Sequence, residues 1–175
     1  MSWGRRQAEE ITDLAEAEQV AKTVVYDRLA ACARSRFDLE QALAGKGVPA
    51  EIAADVLDRF EAAGLVDDAE FARSWVQQRQ AGKGLSSRAL ADELRRKGVD
   101  DQLARDALAD LDPEVEVQAA HELVRRKLRS MSSLADEVKT RRLVGMLARK
   151  GYGPGLAFEV VRTELGAEQQ PLDSR

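Results

Sequence analysis

A chain of 175 residues holds one domain of ordinary size or two small ones, and its 27 lysines and arginines are outnumbered by 31 aspartates and glutamates, for a formal net charge of −4. That balance argues against a protein that grips polyanions over its whole surface. Its 44% hydrophobic and 33% charged residues supply both a core and a solvated coat, which argues against disorder. A single cysteine, Cys32, can neither close an internal disulfide nor complete a structural zinc site, and no run approaches the roughly 20 apolar residues that cross a bilayer. The opening Met1-Ser2-Trp3-Gly4-Arg5-Arg6-Gln7 leads into charged sequence where a signal peptide needs an apolar segment. A cytoplasmic protein without a membrane partner is expected. Alanine, leucine, arginine and glutamate dominate and only 5% of residues are aromatic, so propensity predicts an all-α chain.

In chain order, residues 1–17 are polar and patternless, and a flexible tail is expected there. A first repeat, 18–66, opens with a predicted helix over Val20–Ala33 carrying Val24, Val25 and Leu29. It continues into Leu39-x3-Leu43-x2-Lys46-Gly47-Val48 and ends with Ile52, Val56 and Leu57 on a third helix. A second repeat, 67–111, follows the junction Gly64-Leu65-Val66-Asp67-Asp68. Its first predicted helix, Ala69–Gln80, carries Phe71, Trp75 and Val76; then come Leu90-x3-Leu94-x2-Lys97-Gly98-Val99 and the trio Leu103, Ala107 and Leu108. The third repeat, 112–165, begins at Leu111-Asp112-Pro113 with a predicted helix Val115–Leu128 bearing Leu123, Val124 and Leu128. Leu143-x3-Leu147-x2-Lys150-Gly151-Tyr152 and Leu156, Val160 and Val161 complete it, and 166–175 forms a second expected tail. Segments Gln80–Ser87, with Gly82 and Gly84, and Arg129–Lys139 read as the longer loops.

The repeat glycines are 51 and 53 residues apart, and six apolar offsets recur in all three copies. Leucines four apart share one helical face, and a glycine four residues later suits the left-handed position that stops a helix. Pro49, Pro154 and the pair Asp100-Asp101 then suit the first turn of a following helix. Each repeat is therefore three helices with Leu39, Leu43, Gly47, Phe71, Trp75, Leu90, Leu94, Gly98, Leu143, Leu147 and Gly151 as the structural core. A unit of about 50 residues buries little by itself, so neighbouring repeats should stack in an elongated, curved array.

Charge is unevenly distributed along the chain. Residues 1–66 carry 8 basic and 12 acidic side chains, 67–111 carry 8 and 9, and 112–175 carry 11 and 10. Between Arg125 and Lys150 nine cations (Arg125, Arg126, Lys127, Arg129, Lys139, Arg141, Arg142, Arg149 and Lys150) face only Asp136 and Glu137. Arg88, Arg95, Arg96 and Lys97 form a smaller group in the second repeat, where the first has Arg34, Arg36 and Lys46. Such a cluster reads as a footprint for phosphates or an acidic surface, although lysines in a helix's last turn also answer its dipole.

Signals for catalysis are weak. His121 is the sole histidine, read as half-exposed on its helix; Cys32 is read as a small buried apolar residue, and Asp67-Asp68 as an N-cap. Tyr152, where the other copies have valine, reads as half-buried. Gly45-Lys46-Gly47, Gly82-Lys83-Gly84 and Gly151-Tyr152-Gly153 lack the spacing and preceding strand of nucleotide-binding loops. No catalytic, metal or cofactor site is expected.

The block Gly64-Leu65-Val66-Asp67-Asp68-Ala69-Glu70-Phe71-Ala72-Arg73-Ser74-Trp75-Val76-Gln77-Gln78-Arg79 matches a known pattern together with Gly82-Lys83-Gly84, Leu90-Ala91-Asp92-Glu93-Leu94 and Lys97-Gly98-Val99. It closely resembles the RecX family of bacterial recombination regulators, with the likeness extending over about residues 18–165. The resemblance implies a modulator that binds the RecA filament on single-stranded DNA and suppresses ATP hydrolysis and strand exchange. The partner-facing residues expected on this reading are Arg79, Lys83, Arg88, Arg95, Arg96, Arg125, Arg126, Lys127, Arg129, Lys139, Arg141, Arg142, Arg149 and Lys150. DNA alone should be bound weakly, by a monomer. Two rival readings stay open: a direct DNA-binding regulator built on helix-turn-helix-like turns, and a helical-repeat scaffold that holds peptides in an apolar groove.

Overall fold

A computed structural model describes residues 11–168, and within them every regular element is a helix. In order these are α1 (Leu14–Ala31), α2 (Arg36–Ala44), α3 (Ala50–Ala62), α4 (Asp68–Lys83), α5 (Ser87–Arg96), α6 (Asp101–Ala109), α7 (Pro113–Leu128), α8 (Asp136–Arg149) and α9 (Pro154–Glu168). They fall into three groups of three, the all-α repeat order predicted above. By compactness the chain divides into two units, one of Met1–Ser74 with Leu94–Ala104 and one of Trp75–Glu93 with Arg105–Arg175, so the division passes through the second repeat.

The three middle helices, α2, α5 and α8, end alike. Gly47, Gly98 and Gly151 have φ of 76°, 68° and 90°, in the left-handed region that a side chain disfavours. The next residue then donates its N–H back to the second repeat leucine: Val48 to the Leu43 carbonyl at 3.2 Å, Val99 to Leu94 at 3.1 Å, Tyr152 to Leu147 at 3.1 Å. With a second bond from each glycine N–H, this is the Schellman closure, whose apolar contact sets the residue after the glycine against the leucine. All six of those side chains are buried. Beyond the turn, Val56, Leu57, Val160 and Val161 are buried as the offsets predict. In-register alanines, Ala53, Ala104 and Ala157, are buried too, a repeat feature whose small apolar surface makes it inconspicuous in sequence.

In the first unit α1, α2 and α3 enclose Ala21, Val25, Leu39, Leu43, Val56 and Phe60. The N-terminus of α2 also meets the second repeat. A Cβ at Gly98 would lie 2.4 Å from that of Phe37, Lys97 Nζ donates to Asp38 at 2.8 Å, and the Arg36 N–H donates to Asp68 at 2.8 Å. The second unit repeats the joint one copy later. A Cβ at Gly151 would lie 2.4 Å from Ser86 Oγ, the Ser86 N–H donates to the Lys150 carbonyl at 3.0 Å, and the Ser87 N–H to Glu116 at 3.1 Å. Around it α7, α8 and α9 enclose Leu123, Val124, Leu143, Leu147, Tyr152 and Val161.

Several expectations need correction. Helix α1 starts at Leu14, because Asp13 accepts the N–H groups of Ala15 and Glu16, and α9 runs to Glu168; residues 14–17 and 166–168 are therefore helical where tails were expected. Of the rest of those tails, Ile11 donates its N–H to the Gly47 carbonyl at 2.8 Å and Asp13 caps α1, while 1–10 and 169–175 lie outside the described residues. Cys32 is exposed, since α1 ends at Ala31 and the cysteine turns out in extended backbone with φ of −170°. Trp75 is half-buried rather than central, with its indole N–H donating to Glu93 at 2.9 Å. Tyr152 is fully buried, its hydroxyl donating to the Gly84 carbonyl at 3.1 Å, and burial followed by the Glu116 charge pushes its pKa up to about 12. Asp67 caps α4 as expected, accepting the Glu70 N–H at 2.9 Å, whereas Asp68 serves the joint to α2. The two longer loops shrink as well, α4 continuing to Lys83 and α8 starting at Asp136.

One further difference explains the length of α8. Ser35 and Ser86 occupy equivalent places before their glycines, are buried, and accept the N–H of Asp38 and Ala89, each at 3.2 Å. Lys139 stands there in the third repeat. Without the capping hydroxyl the helix extends back to Asp136. Buried nearby is Glu164, 8% exposed, which accepts from His121 Nδ1 at 2.6 Å and Arg125 Nε at 2.9 Å. Burial raises its pKa, but these two bonds outweigh burial and hold the carboxyl below the ordinary 4.5.

These features predict specific costs in urea unfolding. Leu94→Ala, at a side chain with no exposure, should cost about 2–5 kcal/mol. Gly98→Ala adds a clash with Phe37 to left-handed strain and should cost about 2–4 kcal/mol, whereas Gly64→Ala, with φ of 70° and open space around it, should cost only about 1 kcal/mol. Equal losses at the two glycines would mean that the α2 joint is not packed on Gly98. Glu164→Gln should destabilise by roughly 1–2 kcal/mol at neutral pH. Because the native carboxyl is depressed, its contribution is full above the ordinary value of 4.5 and fades as pH falls through the native value, so wild type and variant should converge in acid. A gap unchanged down to about pH 3 would remove the ionised carboxylate from the argument.

Candidate functional site

The predicted cations do not form one class. In the second unit α7 ends with Arg125, Arg126 and Lys127, followed by Arg129 at its cap, all exposed because the inward face is taken by Ala120, Leu123, Val124 and Leu128. An open depression of about 420 Å³ is lined by Glu122, Arg125, Arg126 and Arg129. Arg141 and Arg142 are exposed on the outer side of α8, between the buried Lys139 and Leu143, and Arg149 is exposed in its last turn. Arg88 is exposed near the start of α5. Among the described residues Arg88, Arg126, Lys127, Arg129, Arg141, Arg142 and Arg149 make no ion pair.

Others are committed internally. Lys139, 7% exposed, donates to Glu168 at 2.9 Å and lies 3.5 Å from Asp136; the Glu168 bond holds its pKa above the ordinary lysine value against the opposing effect of burial. It is a buried structural cation, which corrects its assignment to the partner surface. Arg79 stacks on Trp75 with its guanidinium 4.2 Å from the ring centre and pairs with Glu93 at 3.2 Å, so it too braces the fold. Arg125 has one face on Glu164, whose hydrogen bond keeps the guanidinium pKa raised. In the first unit Arg95 and Arg96 are exposed in the last turn of α5, where they complement the helix dipole.

Lys83, Arg126 and Lys150, far apart in the chain, are neighbours in the second unit. Lys83 is the last residue of α4, Lys150 follows α8, and Arg126 lies on α7 three residues beyond Leu123, the side chain that a Cβ at Gly84 would meet at 3.0 Å. The Lys150 ammonium donates to the Lys83 carbonyl. Burial first, then the charges of Arg126 and Lys83, lower the Lys150 pKa from its ordinary value. The available signal was Lys150's place before the repeat glycine combined with Lys83 between two glycines.

Chemically, this surface can hold anions by charge and by the geometry of guanidinium donors. Among the described residues no three of His, Cys, Asp or Glu are placed to bind a metal ion, and no helix is long and apolar enough to cross a membrane. A second depression, about 720 Å³ between α8 and α9, is lined by Asp136, Thr140, Phe158, Glu159 and Arg162 and contains none of the predicted site residues.

Family models for the first, second and third three-helix domains of RecX match residues 21–60, 67–108 and 114–161. Regulatory protein RecX of Amycolatopsis mediterranei is 47% identical over 161 residues, covering 90% of this chain and 92% of its own. Its counterpart in Mycolicibacterium smegmatis is 47% identical over 166 residues, covering 93% and 88%. The crystal structure of RecX from Lactobacillus salivarius superposes with a TM-score of 0.73 at 18% identity, over 86% of this chain and 97% of that one, a likeness of fold. With all three domains matched in order and near-half identity over almost the whole length, the chain belongs to the RecX family of regulatory proteins.

Proposed function

We propose that this protein binds the RecA recombinase and its single-stranded DNA filament and inhibits ATP hydrolysis and strand exchange, modulating homologous recombination and DNA repair in the cytoplasm. Inhibition is steric and conformational and involves no chemistry of its own. Family membership supports the partner. The observation that carries the binding surface is the set of exposed arginines on α7 and α8 that make no ion pair among the described residues, in a chain whose net charge is −4. Charges left without internal partners are available to steer the protein to an acidic or phosphate-bearing surface, and such an approach weakens with salt.

Replacement of Arg141, Arg142 and Arg149 together by alanine should raise the protein concentration needed to half-inhibit single-stranded-DNA-dependent recombinase ATPase by about tenfold, with helical circular dichroism unchanged. The loss should grow smaller as salt is added, because the wild-type advantage is electrostatic. An unchanged half-inhibiting concentration would remove this face from the interaction. Tight, sequence-selective duplex binding with no effect on the ATPase would instead support a direct DNA-binding regulator.

A further inference from the structure

The lysine before each repeat glycine meets different company in the two joints. In the first unit Lys97 reaches Asp38 on α2 at 2.8 Å, a cation meeting a carboxylate of the preceding repeat. Asp38 stands nine residues before Gly47, and the residue nine before Gly98 is Ala89. At the next joint, therefore, α5 presents a methyl where α2 presents a carboxylate. Lys150, the counterpart of Lys97, turns to the Lys83 carbonyl and has Lys83 and Arg126 as charged neighbours. Glu116 reaches this joint, but its Oε2 accepts the Ser87 N–H at 3.1 Å. Three cations, from the end of α4, from α7 and from the turn after α8, thus gather at a joint whose counterpart in the preceding repeat holds a carboxylate.

We infer that Lys83, Arg126 and Lys150 form a phosphate site, which takes a phosphodiester group of single-stranded DNA in the position that Asp38 holds at the preceding joint. The identity of the strand rests on the function proposed above. Donors from three separate elements suit a tetrahedral phosphate, whose oxygens accept from several directions, better than a planar carboxylate with two oxygens. A guanidinium fork and two ammonium groups are the usual means of holding it. Arg129, three residues beyond Arg126 at the cap of α7 and exposed, extends the same strip so that a neighbouring phosphate can follow.

The test is fluorescence anisotropy of the full chain with an oligothymidylate of about 30 nucleotides, over a range of salt. Two variants are compared with wild type. Lys83→Ala/Arg126→Ala removes two exposed side chains, and Ala89→Asp installs the carboxylate of the preceding joint. Each should weaken binding about tenfold at low salt, and the double variant should lower the slope of log affinity against log salt by about 0.7, the value for one phosphate contact on a single strand. Thermal unfolding of both should match wild type; if Ala89→Asp does not fold, the double variant decides alone. A methylphosphonate strand, lacking the charges, should bind wild type poorly. Variant affinities within twofold of wild type, with an unchanged salt slope, would overturn the site, as would equally tight binding of the uncharged strand. Recombinase ATPase is measured in parallel. Failure of wild type to inhibit it would sink the proposed function and leave the site to the oligothymidylate result. Variants that lose inhibition but keep full oligothymidylate affinity would overturn the phosphate assignment in favour of an acidic protein surface.

Discussion

At Gly47, Gly98 and Gly151 the backbone enters the left-handed region, and the carbonyl of a repeat leucine accepts the N–H of the residue just past the glycine. Much of the architecture follows from this closure. It ends the middle helix, sets the direction of the next one, and lays Val48, Val99 or Tyr152 against the leucine whose carbonyl is used. The second and third of these turns are also docking surfaces, since Phe37 and the Ser86–Ala89 stretch occupy the space that a side chain would need at Gly98 and Gly151. A residue other than glycine would therefore be disfavoured at these two positions twice over, by its own φ and by its neighbour.

Joints of this kind connect one repeat to the next with polar groups as well as apolar ones. The first free N–H groups of α2 and α5, which no intrahelical partner can satisfy, are taken by Asp68 and Glu116 from the first helix of the following repeat. Capping is thus long-range in sequence although local in space, so that folding of the middle helix in one repeat is tied to the presence of the next. The same arrangement explains why Asp68 is half-buried and why burial, more than any neighbouring charge, raises its pKa.

Most of the fold was legible from residue offsets because helix, glycine stop and apolar stripe are properties of nearby residues. Leu39, Leu43, Leu90, Leu94, Leu143 and Leu147 are all buried, as their spacing required. What escaped sequence reading depends on partners far along the chain. Cys32 among alanines looked like core, yet one residue beyond the end of α1 the helical face no longer decides its direction. Lys139 counted as one cation in a basic run, and only the position of Glu168, together with its own replacement of a capping serine, shows it to be buried and paired. Trp75 read as core and Arg79 as partner-facing, and what joins them, their common acceptor Glu93, lies on the following helix.

Formal net charge is a poor measure of the charge that such a protein shows to a partner, because it counts ions already satisfied within the fold. Arg36 in the first unit is matched by Glu40, Asp58 and Glu61 at 3.0, 2.8 and 2.7 Å, and Arg59 by Glu18 at 2.8 Å. The acidic surplus of residues 1–66 is thus drawn on to neutralise its own cations. In the second unit the acids Glu93, Glu164 and Glu168 are engaged by Arg79, by His121 with Arg125, and by Lys139. Once those pairs are set aside, what remains exposed between Arg126 and Arg149 is predominantly positive, six cations against Asp136 and Glu137. Short-range pairing removes charges two at a time without changing their sum, so a chain at −4 can keep a concentrated cationic face, and at distances beyond about 10 Å in salt it is the local face that a partner senses.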